Sequence, residues 1–94
     1  MKVLWSRRAL HHLVDIRQHI ERDSEQNAAL VATRILKAVD LLQSHPEIGR
    51  AGRVVGTREL VAPETAYVIP YRVRGQRLEL IAVFHGRQKW AHKL

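Results

Sequence analysis

The 94-residue sequence contains no cysteine, so neither a disulfide nor a thiolate metal site can staple the fold. Aromatic residues are scarce: only Trp5, Tyr67, Tyr71, Phe84 and Trp90 are present, which leaves an aliphatic core to be built. No apolar run approaches the roughly 18–20 residues that a membrane span requires. The opening Met-Lys-Val-Leu-Trp turns charged at Arg7, so no signal-peptide hydrophobic region is expected. These absences point to a soluble, cytoplasmic protein with no membrane association. The length allows one domain, residues 1–94, with a thin core and a modest stability margin.

Acidic residues are also in short supply, with nine against sixteen basic ones, a formal net charge of +7. Twelve of the sixteen are arginine, whose planar fork suits carboxylates and phosphates. Acidic protein and nucleic acid are therefore the natural partner classes. Residues 46–94 carry nine basic and four acidic residues, net +5, against seven and five, net +2, in residues 1–45. An anionic partner should favour the C-terminal half.

Lys2 to Trp5 is short and apolar-rich, a candidate first strand. Ser6 follows as an N-cap, its hydroxyl available to a free N–H of a helix start. Ala9, Leu13, Ile16 and Ile20 recur at spacings of four, three and four, one face of a helix. Asp23-Ser24 interrupts it and offers a second N-cap. Ala28, Val31, Ala32, Ile35, Val39 and Leu42 form another apolar stripe, ending near Ser44-His45-Pro46. The pair reads as an antiparallel helical hairpin.

Pro46 to Gly56 holds Gly49, Gly52, Arg50 and Arg53, a glycine-rich and positively charged loop. Beyond it the period changes. Arg58 to Val61, Tyr67 to Val73 and Leu78 to Phe84 are β-branched, aromatic and aliphatic, with Arg74-Gly75-Gln76 compatible with a tight hairpin. Leu78, Leu80, Ala82 and Phe84 fall on one face by simple alternation and Ile81 and Val83 on the other, which marks a central strand. Pro70 cannot donate to a ladder, so it belongs at an edge, a bulge or a gap in pairing. The expected fold is α+β, in the order β-α-α-β-β-β, with the helical hairpin on one face of a small, mostly antiparallel sheet.

Three runs carry a more specific signal: Arg58-Glu59-Leu60-Val61, Tyr71-Arg72-Val73, and His85-Gly86-Arg87-Gln88-Lys89-Trp90. Together with Trp5-Ser6 opening a helix and Pro46, Gly49, Arg50 and Gly52 before the first repeated strand, they resemble the RelE/ParE toxin superfamily of type II toxin–antitoxin systems. The likeness is closest to the ParE-like branch and covers nearly the whole chain. It implies a toxin that slows growth until a cognate antitoxin, acidic in its toxin-binding segment, covers the sheet or the helical hairpin. ParE-like members poison DNA gyrase by trapping its cleaved complex; RelE-like members cut messenger RNA on the ribosome. A third possibility is a weak toxin acting as co-repressor, reaching operator DNA through its antitoxin.

RNA cleavage needs a base, an acid and cations around the phosphorane-like transition state. Where RelE-like nucleases commonly place a basic residue, this chain reads Thr65-Ala66-Tyr67, although His85 and Arg87 stand near the end of the last strand. A nuclease would use His85, Arg87 and Tyr71. His85 is the strongest acid–base candidate, or else a strand-terminal histidine that bonds backbone or touches a partner. Glu59 is a base or an ion-pair partner of its neighbour Arg58. Tyr71 is a proton donor or stacking platform, or else a core or partner contact. Arg50, Arg53, Arg58, Arg72 and Arg87 form an anion-binding surface or a solvated basic face. Trp90 anchors a partner or folds back on the sheet. Arg74 and Arg77 flank a turn and should be exposed. His11, Asp15 and His19 lie along a line rather than around a point, which does not suit a metal. The glycines lack the lysine and serine of a phosphate loop, so no nucleotide cofactor is expected.

Overall fold

A computed structural model describes residues 1–87. Strand β1 (Lys2–Trp5) leads into helix α1 (Arg7–Glu21) and helix α2 (Glu25–Ser44). Strands β2 (Arg50–Ala51), β3 (Arg58–Val61), β4 (Tyr67–Arg74), β5 (Arg77–Leu80) and β6 (Phe84–His85) follow. Both helices start where the two serines can satisfy free N–H groups: Ser6 Oγ accepts from Ala9 N at 3.0 Å and Ser24 Oγ from Asn27 N at 3.1 Å.

The sheet order is β1-β5-β4-β3-β2, with β6 also paired to β4. β1 runs parallel to β5, and every other pair is antiparallel. The expected α+β order therefore holds, with a two-residue β2 inside the segment read as loop. The β4–β5 hairpin closes through two residues, Gly75 and Gln76, between the paired Arg74 and Arg77. Gly75 has φ 58° and Gln76 no positive φ, the pattern of a II′ turn, which favours glycine at its first position.

The helices cover one sheet face. Ala9 of α1 and Ile35, Ala38, Val39 and Leu42 of α2 pack with Ile69, Tyr71, Leu78, Leu80 and Val83 in one buried cluster. The other face carries Leu4, Arg50, Glu59, Pro70, Arg72 and Glu79, as the strand registers require.

The last strand differs from the expected unbroken run over 78–84. Tyr71 pairs with Leu80 but Val68 with Phe84, so one extra residue is inserted and residues 81–83 leave the ladder. Pro70 is the reason. Its carbonyl accepts from Ile81 N at 2.9 Å, but it has no N–H to return. The Ile81 carbonyl instead accepts from Ser6 Oγ at 2.9 Å, and Val83 N donates to His12 Nδ1 at 3.1 Å. The bulge also reverses the expected alternation: Val83 joins Leu78 and Leu80 in the core, while Phe84 pairs with Val68 on the opposite face. Among the described residues, no helix is long and apolar enough to cross a membrane.

Candidate functional site

The sheet face turned away from the helices concentrates arginines around two carboxylates. Glu59 of β3 is 2% exposed, yet its carboxylate reaches the surface charges: Arg50 Nη2 at 3.3 Å and Arg53 Nε at 3.9 Å. The backbone N–H of Arg53 also donates to Glu59 Oε2 at 2.9 Å, which pins the β2–β3 connection over the sheet. The expected Arg58 partnership is thus replaced by Arg50 and Arg53, because Arg58 points to the helix-side face with its register partner Tyr71. The arrangement is asymmetric in energy. Removing one arginine leaves a second to compensate Glu59, whereas removing both strands a buried carboxylate, a loss of about 3–5 kcal/mol.

Glu79 of β5 makes the second cluster. It accepts from Arg72 Nε at 2.7 Å, with Arg74 Nε at 3.8 Å. The Arg72 hydrogen bond, with the positive charge of Arg72, Arg74 and Arg77 added, holds the Glu79 carboxyl below the usual glutamate range. Arg53 also lies over the Phe84 ring, 5.6 Å from its centroid, which ties the β2–β3 connection to β6.

Arg58 and Tyr71 have a different task. Arg58 Nη1 donates to the carbonyls of Glu47 and Gly49 at 3.0 and 2.8 Å. Tyr71, with no exposed surface, donates to the Pro46 carbonyl at 2.7 Å and accepts from Gly49 N at 2.9 Å. Burial raises the Tyr71 phenol above its ordinary value, only partly opposed by the Gly49 bond. The two residues clamp the chain between α2 and β2. Gly49 is required for that closeness, since a Cβ there would sit 2.6 Å from the Tyr71 hydroxyl.

His85 stands at the end of β6, opposite Tyr67 in the register, with the two rings edge to face at 5.5 Å. Its Nδ1 accepts from Arg87 N at 3.1 Å, which fixes the ring's orientation. Arg87 is exposed. Trp90 lies outside the described residues. The structure therefore gathers Arg50, Arg53 and Arg72 on the face turned away from the helices, keeps His85 and Arg87 at the end of β6, and assigns Arg58 and Tyr71 to the loop clamp. Arg74 and Arg77 are exposed as expected, but Arg74 also belongs to the Glu79 cluster.

Two roles were missed in the sequence. Glu79 as the centre of a charge cluster was legible in principle, because a two-residue turn at Gly75-Gln76 places Arg72 opposite Glu79. His12, which fills the gap left by Pro70, carries no local signal, since its partner lies 71 residues away.

Residues 3–90 match the family described as ParE toxin of type II toxin-antitoxin system, parDE. The chain is 42% identical over 93 residues to the protein Y4kP of Sinorhizobium fredii, covering 99% of this chain and 96% of that one. It is 33% identical over 85 residues to the Toxin RelE2 of Caulobacter vibrioides, covering 90% and 94%. Its fold is similar to a chain of the chromosomal ParDE toxin–antitoxin system of P. aeruginosa, with a TM-score of 0.81 at 25% identity, covering 90% of this chain and 95% of that one. With nearly the full length matched, in sequence and in fold, the chain belongs to the ParE toxin family of type II toxin–antitoxin systems.

Proposed function

We propose that this toxin arrests growth by binding and poisoning DNA gyrase in the cytoplasm, with no chemistry of its own, and that a cognate antitoxin with an acidic segment neutralises it. The observation that supports this reading is the fate of two of the acid–base candidates. Glu59 is buried between two arginines and Tyr71 is committed to the Pro46–Gly49 clamp. A general acid or base must come within hydrogen-bond reach of the proton it moves, and neither side chain offers that reach. What is presented instead is a cationic surface of Arg50, Arg53 and Arg72, suited to anionic contacts, with His85 and Arg87 at the end of β6. Those five residues, with Trp90, are the proposed target contacts.

The test is a supercoiling assay with antitoxin-free protein, reading linear DNA from trapped cleavage complexes. Inhibition by stoichiometric to low-micromolar toxin, weakened when Arg50 and Arg72 are replaced together by serine while Arg53 stays to compensate Glu59, is the expected result. A folded, growth-arresting protein that leaves gyrase untouched overturns the reading. Ribosome-bound messenger RNA is then the target to examine, and His85→Ala should lower cleavage by about two orders of magnitude or more.

A further inference from the structure

We propose that the turn between β2 and β3 carries a DNA-contacting wedge: Val55 enters between base steps of a duplex while Arg53, Arg72 and Arg74 hold its phosphates. This rests on the gyrase reading above and deepens it, since the duplex is then the one held in the cleaved complex. Val55 is 99% exposed, whereas the other exposed large apolar side chains keep between 41% and 52%. The turn that presents it is closely held. Thr57 N donates to the Val54 carbonyl at 3.1 Å and Gly56 has φ 83°, a type II turn over residues 54–57 with Val55 at its first corner. The Thr57 hydroxyl donates to the same carbonyl at 2.6 Å, and Gly52 N donates to the Thr57 carbonyl at 2.8 Å. Arg53 N is fixed on Glu59 at 2.9 Å. A side chain so exposed buries no surface within this chain, so the fold gains nothing from its being apolar.

The surroundings of this tip are cationic. The turn stands beside β4 across a groove of about 370 Å³, lined by Val54, Val55 and Thr57 on one side and Arg72, Val73 and Arg74 on the other. Arg72 and Arg74 share one face of β4 and lie two residues, hence roughly 6.7 Å, apart along it. Both approach Glu79 Oε1 through Nε, at 2.7 and 3.8 Å, which braces the side chains and leaves their terminal amino groups for phosphate oxygens. Arg50, Arg53, Arg72, Arg74 and Arg77 outnumber Glu59 and Glu79 on this side of the sheet. A duplex accounts for both features, whereas an acidic protein accounts for the charge alone. Guanidiniums repeated along a strand suit the successive phosphates of a backbone. One apolar side chain ringed by cations is a poor centre for a protein interface, which needs a packed apolar core. It has instead the form of a side chain that pries open a base step.

The test uses the full chain, free of antitoxin, with a short fluorescein-labelled duplex and a second duplex carrying 2-aminopurine, whose fluorescence rises on unstacking. Micromolar binding at about 50 mM salt is expected, with log affinity falling against log salt at a slope of about −3. Arg74→Ser leaves Arg72 on Glu79 and should flatten that slope by about one. Val55→Ser should keep the slope, abolish the 2-aminopurine rise and weaken binding about tenfold, the worth of one buried valine. Circular dichroism confirms that each variant is folded. The proposal is overturned if the duplex is not bound, if the folded V55S protein unstacks the base as the parent does, or if Arg74→Ser leaves the slope unchanged. It is also overturned if poly-glutamate of equal charge displaces the duplex as well as unlabelled duplex does, because the surface is then one for acidic protein. No gyrase is present in these measurements. A toxin that poisons gyrase without binding duplex sinks this proposal alone, and one that binds duplex without poisoning gyrase sinks the gyrase reading alone.

Discussion

Two side chains show how a residue in this fold is judged by what it holds. Tyr71 spans from the core to the part-buried Pro46 carbonyl and the buried Gly49 N–H, and satisfies both. Tyr71→Phe keeps the ring and deletes both bonds, which should lower unfolding stability by about 2–3 kcal/mol in urea titrations. Inhibition per folded molecule should be unchanged. A loss of activity exceeding the loss of folded protein would return Tyr71 to the functional surface. His12 supplies the second case. It accepts the Val83 N–H through Nδ1, which requires the neutral ring, and burial followed by the charge of Arg8 lowers its pKa from the ordinary 6.5 despite Asp15. The unfolded chain therefore takes up this proton first as pH falls. The contribution to stability is complete above about pH 6.5 and is lost as the pH drops through the lowered folded value. His12→Asn keeps an acceptor near the Nδ1 position and cannot titrate. Thermal unfolding of the parent should weaken more steeply than that of H12N between pH 7.5 and 5, and parallel curves would dismiss the argument.

At the scale of elements, the bulge after β5 couples four parts of the chain: Pro70 in β4, Ile81 beyond β5, Ser6 before α1 and His12 within it. Ser6 performs two tasks, capping α1 and donating to the carbonyl that Pro70 cannot serve. Ser6→Ala should cost about 2 kcal/mol, half from the cap and half from the orphaned carbonyl. In a P70V background the restored N–H offers that carbonyl another donor, so Ser6→Ala should cost only about 1 kcal/mol, the cap alone. Equal costs in the two backgrounds would show that Ser6 does not compensate for the proline. The same bulge marks the boundary of what the sequence discloses. The helices, their serine caps, the change of period after Gly56 and the turn at Gly75 are local signals and were legible. That Pro70 must interrupt pairing was legible too, but not which residues would fill the gap, because Ser6 and His12 lie 75 and 71 residues from their partners. Side-chain alternation over 78–84 failed for the same reason, since one inserted residue flips every later position. Glu59 found Arg50 and Arg53 rather than Arg58 because register, not adjacency, decides which side chains share a face.

At the scale of the whole molecule, an asymmetry along the chain becomes one in space. The second half supplies β2 to β6, and its described residues 46–87 carry seven basic and four acidic residues, net +3, all of the basic ones arginines on the sheet and its connections. The hairpin in turn exposes apolar side chains: Leu10, Leu30, Leu36 and Leu41 are each between 44% and 50% exposed. An acidic antitoxin would then meet two different forces. Charge acts at a distance, over a Debye length of about 10 Å at 0.1 M salt but only about 3 Å at 1 M. Apolar burial acts only after contact and is little affected by moderate salt. Charge should therefore govern arrival and apolar contact should govern residence. Raising sodium chloride from 50 to 500 mM should slow association with the co-expressed antitoxin by about tenfold in stopped-flow measurements, while dissociation changes by less than about threefold. Replacing Arg50 and Arg72 together by serine, with Arg53 left on Glu59, should slow association at low salt and flatten its salt dependence. Leu30→Ser with Leu41→Ser should leave association alone and quicken dissociation. If salt instead accelerates dissociation and spares arrival, the basic sheet does not steer the partner, and its arginines are buried ion pairs in the complex whose loss is felt only once the two chains are docked.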